Sequence, residues 1–239
     1  MLKKELILRN PLSPLGFEKE DILSEGGFGA VMAHAGVGKT ALLVQLALNG
    51  MLRSRNVLHV SLQDPVNKVT LWYRELFQHL ADRHEATQVE SLWDSLLPHR
   101  FIMTFGVDGF SVPKLEERMN DLTEQGIFTP AMAIVDGFHC DGSMRSALAD
   151  LKKLAVAKGM HVWFTVHTHR QEKPGEGGLR PSFLPVADLF DVVVELQPVH
   201  ADIHIKLLKG TASASSGDVL LDPSTMLVKR LVAVWPDRV

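Results

Sequence analysis

The sequence has almost no cysteine and no long hydrophobic run, and each absence excludes a class of protein. Cys140 is the single cysteine, which rules out an internal disulfide framework and favours a reducing compartment. No apolar run approaches the ~18 residues that a membrane-spanning helix requires. We therefore expect a cytoplasmic protein with no membrane partner.

A strong excess of either charge is also missing. The formal net charge is -3 at pH 7, with 22% charged and 46% hydrophobic residues. This balance provides no overall attraction to nucleic acid or to an anionic membrane. The first ten residues include two lysines, but Glu5 and Arg9 interrupt any apolar core, so we expect no secretory signal peptide.

Internal repeats and low-complexity tracts are absent as well. A chain of 239 residues is long enough to bury one large core. We expect a single domain over residues 1–239, with antiparallel edge strands over 197–239. Its first part, residues 1–26, is expected to be an irregular lead-in in which 17–23 could form one or two helical turns.

The most informative stretch is residues 33–40, Ala-His-Ala-Gly-Val-Gly-Lys-Thr. It fits the phosphate-binding loop (P-loop) pattern G-x-x-x-x-G-K-[ST], with Ala33 in place of the first glycine. An apolar strand over 27–32 precedes it and a helix over 41–48 follows it. A loop between two such elements directs backbone N–H groups at a phosphate beside a helix N-terminus. A chance glycine turn between a strand and a helix is the competing interpretation.

The chemistry of this loop predicts a nucleoside triphosphate and a metal ion. Gly36 and Gly38 allow the backbone to curl toward the phosphate oxygens. Lys39 would reach the β- and γ-phosphates, and the Thr40 hydroxyl would bind Mg²⁺. ATP and Mg²⁺ are therefore the predicted cofactors. The predicted nucleotide-binding residues are Ala35, Gly36, Val37, Gly38, Lys39, Thr40 and Ala41.

A second candidate is Asp136, which ends the apolar run 131–135. A carboxylate at the C-terminal end of a buried strand can hold the water shell of Mg²⁺ near Thr40. The sequence thus predicts Thr40 and Asp136 as the metal site. The alternative is that Asp136 and Gly137 form a cap or a turn.

Strand and helix patterns alternate as far as Leu196, and short strands follow each other afterwards. This order predicts an α/β fold with a mostly parallel twisted sheet, flanking helices and a C-terminal antiparallel extension. One helix is predicted to begin at Pro65 with Asp64 as its N-cap, and its aromatic residues are expected in the core. The other predicted helices cover 85–97, 113–125 and 143–158, and the other strands cover 57–62, 100–105, 161–166, 191–196, 202–208, 218–221 and 226–231.

From about Gly26 to Leu231 these motifs resemble the RecA-like P-loop ATPases, and among them the branch of KaiC, the DnaB-type replicative helicases and RadA. In that branch the strand after the P-loop helix is followed by a glutamate that activates the attacking water. Gln63 stands at that position here, and Asp64 follows it. An amide can orient a water but cannot take its proton. Gln63 and Asp64 are therefore the two catalytic candidates.

The resemblance also implies positions for three further residues. It places the strand 161–166 between the P-loop strand and the Asp136 strand, so that His167 occupies the position of a γ-phosphate sensor. Residues 204–210 resemble the segment that carries lysine and arginine fingers into a neighbour's site. Lys206 and Lys209 are the candidate trans-acting cations, because Leu208 stands where an arginine is usual. A missing arginine finger removes a factor of roughly 10³ to 10⁵ in rate.

Three weaker signals favour ordinary interpretations. His139, Cys140, His167 and His169 follow strand ends, but they lack the Cys-x-x-Cys or His-x-x-x-His spacing of a metal site. His34 is expected to be exposed. The loop 171–181, at the position where RecA-like proteins contact DNA, has the mixed charge of a solvated flexible loop.

Together these features predict a RecA-like protein that binds ATP and Mg²⁺. We expect a slow ATPase or an ATP-dependent switch that acts through self-association or a protein partner. A DNA-dependent ATPase of the recombinase or helicase type is one alternative. A nucleotide-binding module that does not hydrolyse ATP is another.

Overall fold

The computed structural model describes residues 1–17, 22–106, 109–168, 172–173, 175–211 and 218–230. Within them, nine strands form one sheet. The strands are β1 Phe28–Ala33, β2 Val57–Ser61, β3 Arg100–Thr104, β4 Met132–Asp136, β5 His161–His167, β6 Val192–Val199, β7 Asp202–Lys209, β8 Val219–Leu221 and β9 Val228–Arg230. The α-helices are α1 Leu2–Leu8, α2 Lys39–Leu52, α3 Val66–Leu80, α4 Ala86–Leu96, α5 Val112–Glu124 and α6 Arg145–Ala157. Short 3₁₀ helices cover Ser13–Leu15, Leu97–His99, Gly142–Met144, Glu176–Gly178 and Leu184–Leu189.

The strand order is β3-β2-β4-β5-β1-β6-β7-β8-β9. Neighbouring strands are parallel from β3 to β6, and each of the last three pairs is antiparallel. This confirms the predicted α/β fold with an antiparallel extension. β5 pairs with both β1 and β4, so the strand of His167 lies between the P-loop strand and the Asp136 strand, as the resemblance implied.

Helices cover both faces of the sheet, and the central strands are buried because of it. One core contains residues of α1 to α4, and the other contains residues of α5 and α6. Side chains of β1 alternate between the two cores, with Val31 in the first and Met32 in the second. Tyr73 of α3 is fully buried in the first core, which confirms that the aromatic residues of this helix are core residues.

The N-terminal segment differs from its prediction as an irregular lead-in. Residues Leu2–Leu8 form α1, which buries Leu2 and Leu6 against the first core. Arg9 then donates from Nη1 to the carbonyl oxygen of Leu80 at 2.9 Å. A helix of 7 residues is unstable alone, so packing against the rest of the molecule stabilises it. Of the helical turns predicted over 17–23, residues 18–21 lie outside the described residues, and Ile22 and Leu23 are in a bend.

The start of α3 also differs from its prediction. The helix begins at Val66, and Pro65 rather than Asp64 occupies the N-cap. Asp64 makes no cap hydrogen bond, because its Oδ1 instead accepts from Nζ of Lys68 at 2.8 Å. Elsewhere the predicted elements are present with shifted ends. None of the helices in the described residues is long and apolar enough to cross a membrane.

Candidate functional site

The P-loop connects β1 to α2 and passes over the C-terminal ends of the parallel strands. Its glycines have the positive φ angles that other residues avoid, 77° at Gly36 and 109° at Gly38. A Cβ at Gly38 would also lie 2.6 Å from a methyl carbon of Leu221. Ala33 is the last residue of β1 and pairs with His167. Alanine is therefore compatible with the first glycine position of the motif, because the backbone there is an ordinary strand.

Lys39 closes the loop on itself. Its Nζ donates to the carbonyl oxygens of Ala33 at 3.0 Å and His34 at 2.9 Å. Partial burial lowers the pKa of Lys39, and the nearby Asp136 carboxylate opposes that shift. The ammonium group is thus held at the mouth of the loop by carbonyl oxygens that an anion could replace.

Asp136 lies beside the P-loop, as predicted. Its Oδ2 accepts from the Thr40 hydroxyl at 2.8 Å, and its Oδ1 accepts from the Thr165 hydroxyl at 2.7 Å. Thr165 in turn accepts from the backbone N–H of Gly137 at 2.8 Å. The sequence analysis missed Thr165. It stands two residues before His167, so the two side chains lie on the same face of the strand. Carboxylate and hydroxyl oxygens are the donors that Mg²⁺ prefers, so Thr40 and Asp136 would hold this ion.

These residues border a cleft of about 240 Å³, here called the P-loop cleft. Gln63 and His167 are both exposed at its edge. Asp64 is not among the lining residues, since its carboxylate is turned to Lys68. The lining residues are Ala35, Gly36, Lys39, Thr40, Gln63, Asp136, Gly137, Phe138, His139, Thr165 and His167.

The turn after Asp136 keeps Gln63 at this cleft. Gly137 has a φ of 90°, and a Cβ there would lie 2.9 Å from Cγ of Gln63. A larger residue at this position would both strain the backbone and displace the Gln63 side chain. The structure thus brings one of the two catalytic candidates, Gln63, to the cleft and turns the other away.

His59 is a second residue of the site that the sequence analysis missed. It lies on β2, is fully buried, and places Nε2 4.0 Å from Oδ2 of Asp136. Its Nδ1 is 3.1 Å from the Tyr73 hydroxyl. Burial lowers the pKa of His59 to about 4 even though the Asp136 carboxylate raises it, so the imidazole is neutral at pH 7. The other residues of its strand are mostly apolar, so nothing in the sequence pattern distinguishes His59 as a residue beside the site.

His34 is not exposed, contrary to expectation. It is half-buried, and its Nδ1 lies 2.7 Å from the carbonyl oxygen of Thr168 and 3.2 Å from the Thr168 hydroxyl. An N–H at Nδ1 can donate to this carbonyl. The contact ties the P-loop to the residue that follows β5.

Three of the four histidine and cysteine residues weighed as a metal site, His139, Cys140 and His167, lie in the described part of the chain. Among the described residues, no group of three His, Cys, Asp or Glu side chains is placed to hold a metal ion. Cys140 is buried, and burial raises the pKa of its thiol. His139 lines the P-loop cleft with His167, and His169 lies outside the described residues.

The candidate trans-acting lysines lie away from the chain's own cleft. Lys206 is exposed on β7, opposite Glu195 of β6. Lys209 is half-buried and donates from Nζ to the carbonyl oxygen of Ala187 at 2.8 Å. Neither lysine lines the P-loop cleft. Their role in a neighbouring molecule stays a prediction.

The described part of loop 171–181 is anchored, so its interpretation as a wholly solvated loop is wrong. Arg180 forms an ion pair with Glu195, whose side chain is only 3% exposed. Arg180 also donates from Nη1 to the carbonyl oxygen of Glu172 at 2.6 Å. Glu172 accepts from the backbone N–H of Ser182 at 2.6 Å. The loop is thereby fastened to β6.

Comparison with known proteins gives one family. The family model of the AAA domain matches residues 10–173, which include the P-loop, Gln63, Asp136 and β5. No curated protein matches the chain. Because the family match covers more than half of the chain and the strands that carry the P-loop cleft, the chain belongs to the AAA domain family of P-loop, nucleotide-binding ATPases.

Proposed function

We propose that this protein binds ATP with Mg²⁺ in the P-loop cleft and acts as a slow ATPase or an ATP-dependent switch. We place it with the RecA-like proteins of the KaiC, DnaB and RadA branch. The observation that carries the proposal is the cluster of Lys39, Thr40 and Asp136 at the end of the P-loop, with Gln63 beside it.

Phosphate binding is supported by the start of α2. Gly38 is its N-cap and provides no side-chain hydrogen bond, so the first N–H groups of the helix are available to an anion. Ala35, Gly36, Val37 and Ala41 would contribute backbone N–H groups around the phosphates. Lys39 would exchange its two carbonyl partners for phosphate oxygens, since a charged acceptor makes the stronger hydrogen bond.

Mg²⁺ binding is supported by the Thr40–Asp136 pair. When bound, the ion would neutralise phosphate charge and polarise the bond to be cleaved. The hydrogen bond from Thr165 fixes the rotation of the Asp136 carboxylate before any ligand arrives. A preoriented carboxylate lowers the cost of ordering the metal site.

Slow turnover is supported by the side chains that face the cleft. Gln63 is at the edge where an active relative has glutamate, and its amide cannot act as a general base. Asp64 has a carboxylate but pairs with Lys68 instead of lining the cleft. We propose His167, which lines the same cleft, as the sensor of the γ-phosphate. ATP would therefore be held for a long time relative to its hydrolysis.

Action through self-association or a protein partner is supported by Lys206. This lysine is exposed on β7 and does not line the chain's own cleft, so a phosphate contact from it would require a second molecule. The DNA-dependent alternative gains no such support. Arg180, a cation of the candidate DNA loop, is paired with the buried Glu195.

One set of measurements tests the proposal. Isothermal titration calorimetry with ATP, with and without Mg²⁺, should show binding that Mg²⁺ strengthens. Turnover measured in parallel should be slow and should not respond to single-stranded DNA. Light scattering with and without ATP should show a change in mass if the switch acts by self-association. Absence of ATP binding would contradict the proposal, and strong stimulation by DNA would favour the helicase or recombinase alternative.

A further inference from the structure

His59 has a buried ring nitrogen that no group in the described part of the chain satisfies. Its side chain is fully buried on β2, next to β4. Nδ1 contacts the Tyr73 hydroxyl at 3.1 Å, but Nε2 has no hydrogen-bond partner among the described residues. Oδ2 of Asp136 lies 4.0 Å from Nε2. The unpaired nitrogen is therefore close to the carboxylate that would hold Mg²⁺.

An unpaired nitrogen at this depth is costly. Leaving a buried polar group without a hydrogen bond destabilises the fold, and an apolar residue of similar size would avoid that loss. All other side chains of β2 except Ser61 are apolar. A histidine at this position therefore lowers the stability of the fold, which points to a role in the P-loop cleft.

The contact with Tyr73 bears on which ring nitrogen of His59 carries the proton. If the Tyr73 hydroxyl donates to Nδ1, the neutral ring has its N–H at Nε2, directed toward Asp136. The other tautomer would point a lone pair at the carboxylate, which is repulsive. Arg100 lies over the Tyr73 ring, 4.9 Å from its centroid. This cation makes the hydroxyl more acidic and so favours its donation to Nδ1, and the Asp136 carboxylate favours an N–H at Nε2.

We propose that His59 is a positioning residue for Asp136. The Tyr73 hydroxyl holds the ring at Nδ1, and the N–H at Nε2 orients the carboxylate for Mg²⁺. This inference rests on the proposed function. Thr40, Thr165 and His59 lie around the Asp136 carboxylate, and the Lys39 ammonium is nearby. Thr40 is itself an expected ligand, so Thr165 and His59 are the two supports that do not bind the ion. A neutral N–H attracts the carboxylate without repelling a divalent cation.

The test compares two substitutions at one position. His59→Phe keeps the ring volume and removes the donor, whereas His59→Gln keeps an N–H near the position of Nε2. Calorimetric titration of Mg²⁺ into each variant with ATP present gives the metal affinity. His59→Phe should weaken it by about tenfold or more, the usual effect of losing such a support, and should leave ATP affinity in a chelator unchanged. His59→Gln should restore most of the affinity.

Two outcomes would overturn the inference. One is an unchanged Mg²⁺ affinity in His59→Phe, and the other is an equal loss of ATP binding with and without Mg²⁺. If His59→Phe does not fold, Tyr73→Phe decides the question, because it removes only the hydroxyl that holds the ring at Nδ1. It should weaken Mg²⁺ binding in the same direction, and an unchanged affinity would contradict the role of His59.

A spectroscopic measurement separates positioning from a merely structural role. Nitrogen-15 spectra of the histidine side chains report which ring nitrogen carries the proton. The unliganded wild type should show His59 as the Nε2–H tautomer, and an Nδ1–H tautomer would overturn the inference. If the wild type shows no Mg²⁺-dependent ATP binding, the proposed function fails together with this inference. If the wild type and His59→Phe bind ATP with the same dependence on Mg²⁺, only the inference about His59 fails.

Discussion

Lys39 hydrogen-bonds the backbone of the P-loop and is expected to bind phosphate when ATP is present. Replacing it with alanine should reduce ATP affinity by roughly 10- to 100-fold, because a hydrogen bond to a charged group contributes about 1.5–3 kcal/mol. The fold should persist, since the lysine contacts only two loop carbonyls. Calorimetry would measure the affinity. Lys153→Ala is the matched control, because Lys153 is exposed on α6 and pairs with Asp150. Equal ATP affinity in both variants would contradict the phosphate role of Lys39.

Asp136 and Thr165 should be separable by the Mg²⁺ dependence of ATP binding. Asp136→Asn should weaken binding with Mg²⁺ more than binding without it, because an amide is a poorer ligand for a hard cation. Thr165→Val should have a smaller effect in the same direction, and Thr165→Ser, which keeps the hydroxyl, should resemble the wild type. Calorimetry in magnesium and in a chelator distinguishes the two conditions. If Asp136→Asn reduces both equally, Asp136 is structural.

Gln63 is the residue at which we expect a substitution to raise hydrolysis. Gln63→Glu should raise ATP turnover, by at most ~10²- to 10⁴-fold, because a positioned carboxylate can accept the proton of the attacking water. Asp64→Asn should leave turnover unchanged, since that side chain does not line the cleft. Its loss would remove an ion pair with Lys68 worth about 0.2–1 kcal/mol.

Steady-state phosphate release measures both Gln63→Glu and Asp64→Asn. The argument about Gln63 would be wrong if Asp64→Asn folded normally and lost all turnover. It would also be wrong if Gln63→Glu bound ATP as the wild type does and showed no gain in rate.

The C-terminal hairpin of β8 and β9 is joined to the P-loop helix through one buried side chain. Gln45 of α2 donates from Nε2 to the carbonyl oxygen of Met226 at 2.7 Å. Its Oε1 accepts from the backbone N–H of Val228 at 2.9 Å. Leu221 of the same hairpin packs over Gly38, so the hairpin contacts both the loop and the helix. A short edge hairpin gains order from such side-chain contacts.

Gln45→Leu should therefore destabilise the hairpin more than the rest of the molecule. It leaves a half-buried carbonyl and a half-buried N–H without their partner, at a cost of about 1 kcal/mol. Hydrogen exchange should quicken in β8 and β9 before it quickens in β1, and the unfolding temperature should fall. Gln78→Leu is the control, because Gln78 is exposed on α3. Equal exchange rates in the two variants would show that Gln45 does not hold the hairpin.

Acid should destabilise the whole molecule through its buried histidines. The pKa of His161 is lowered to about 4, first by burial and then by Arg55, from an ordinary value of 6.5. Between these values the unfolded chain binds more protons than the folded one, so stability is full above about 6.5 and falls as the pH drops toward 4. The loss for this residue is on the order of 3 kcal/mol.

His161→Gln tests this pH dependence at a position remote from the P-loop cleft, since His161 begins β5 at the opposite end of the sheet. Thermal unfolding measured from pH 7 to pH 4.5 should show a smaller decline in the variant than in the wild type. Some decline should persist, because His59 is also buried and neutral. An identical decline in both proteins would show that His161 does not titrate as described.

Local patterns were enough to predict the sheet and to bring Thr40 and Asp136 together as candidate site residues. The P-loop is eight adjacent residues whose glycines, lysine and threonine each have a chemical reason for their position. Alternating strand and helix patterns give a parallel sheet, because buried parallel strands need helices on both faces. The same sheet places Thr40 and Asp136 at one edge, where their side chains are in fact 2.8 Å apart.

The remaining features depend on contacts between residues far apart in the chain. Thr165 and His59 are ordinary members of apolar strands until β5 and β2 are placed on either side of β4. The helix α1 and the anchoring of Arg180 by Glu195 likewise arise only when distant segments pack together. Sequence periodicity reports which face of an element is buried but carries no information on its neighbour. The P-loop chemistry was thus set locally, whereas the support beneath Asp136 follows from the strand order.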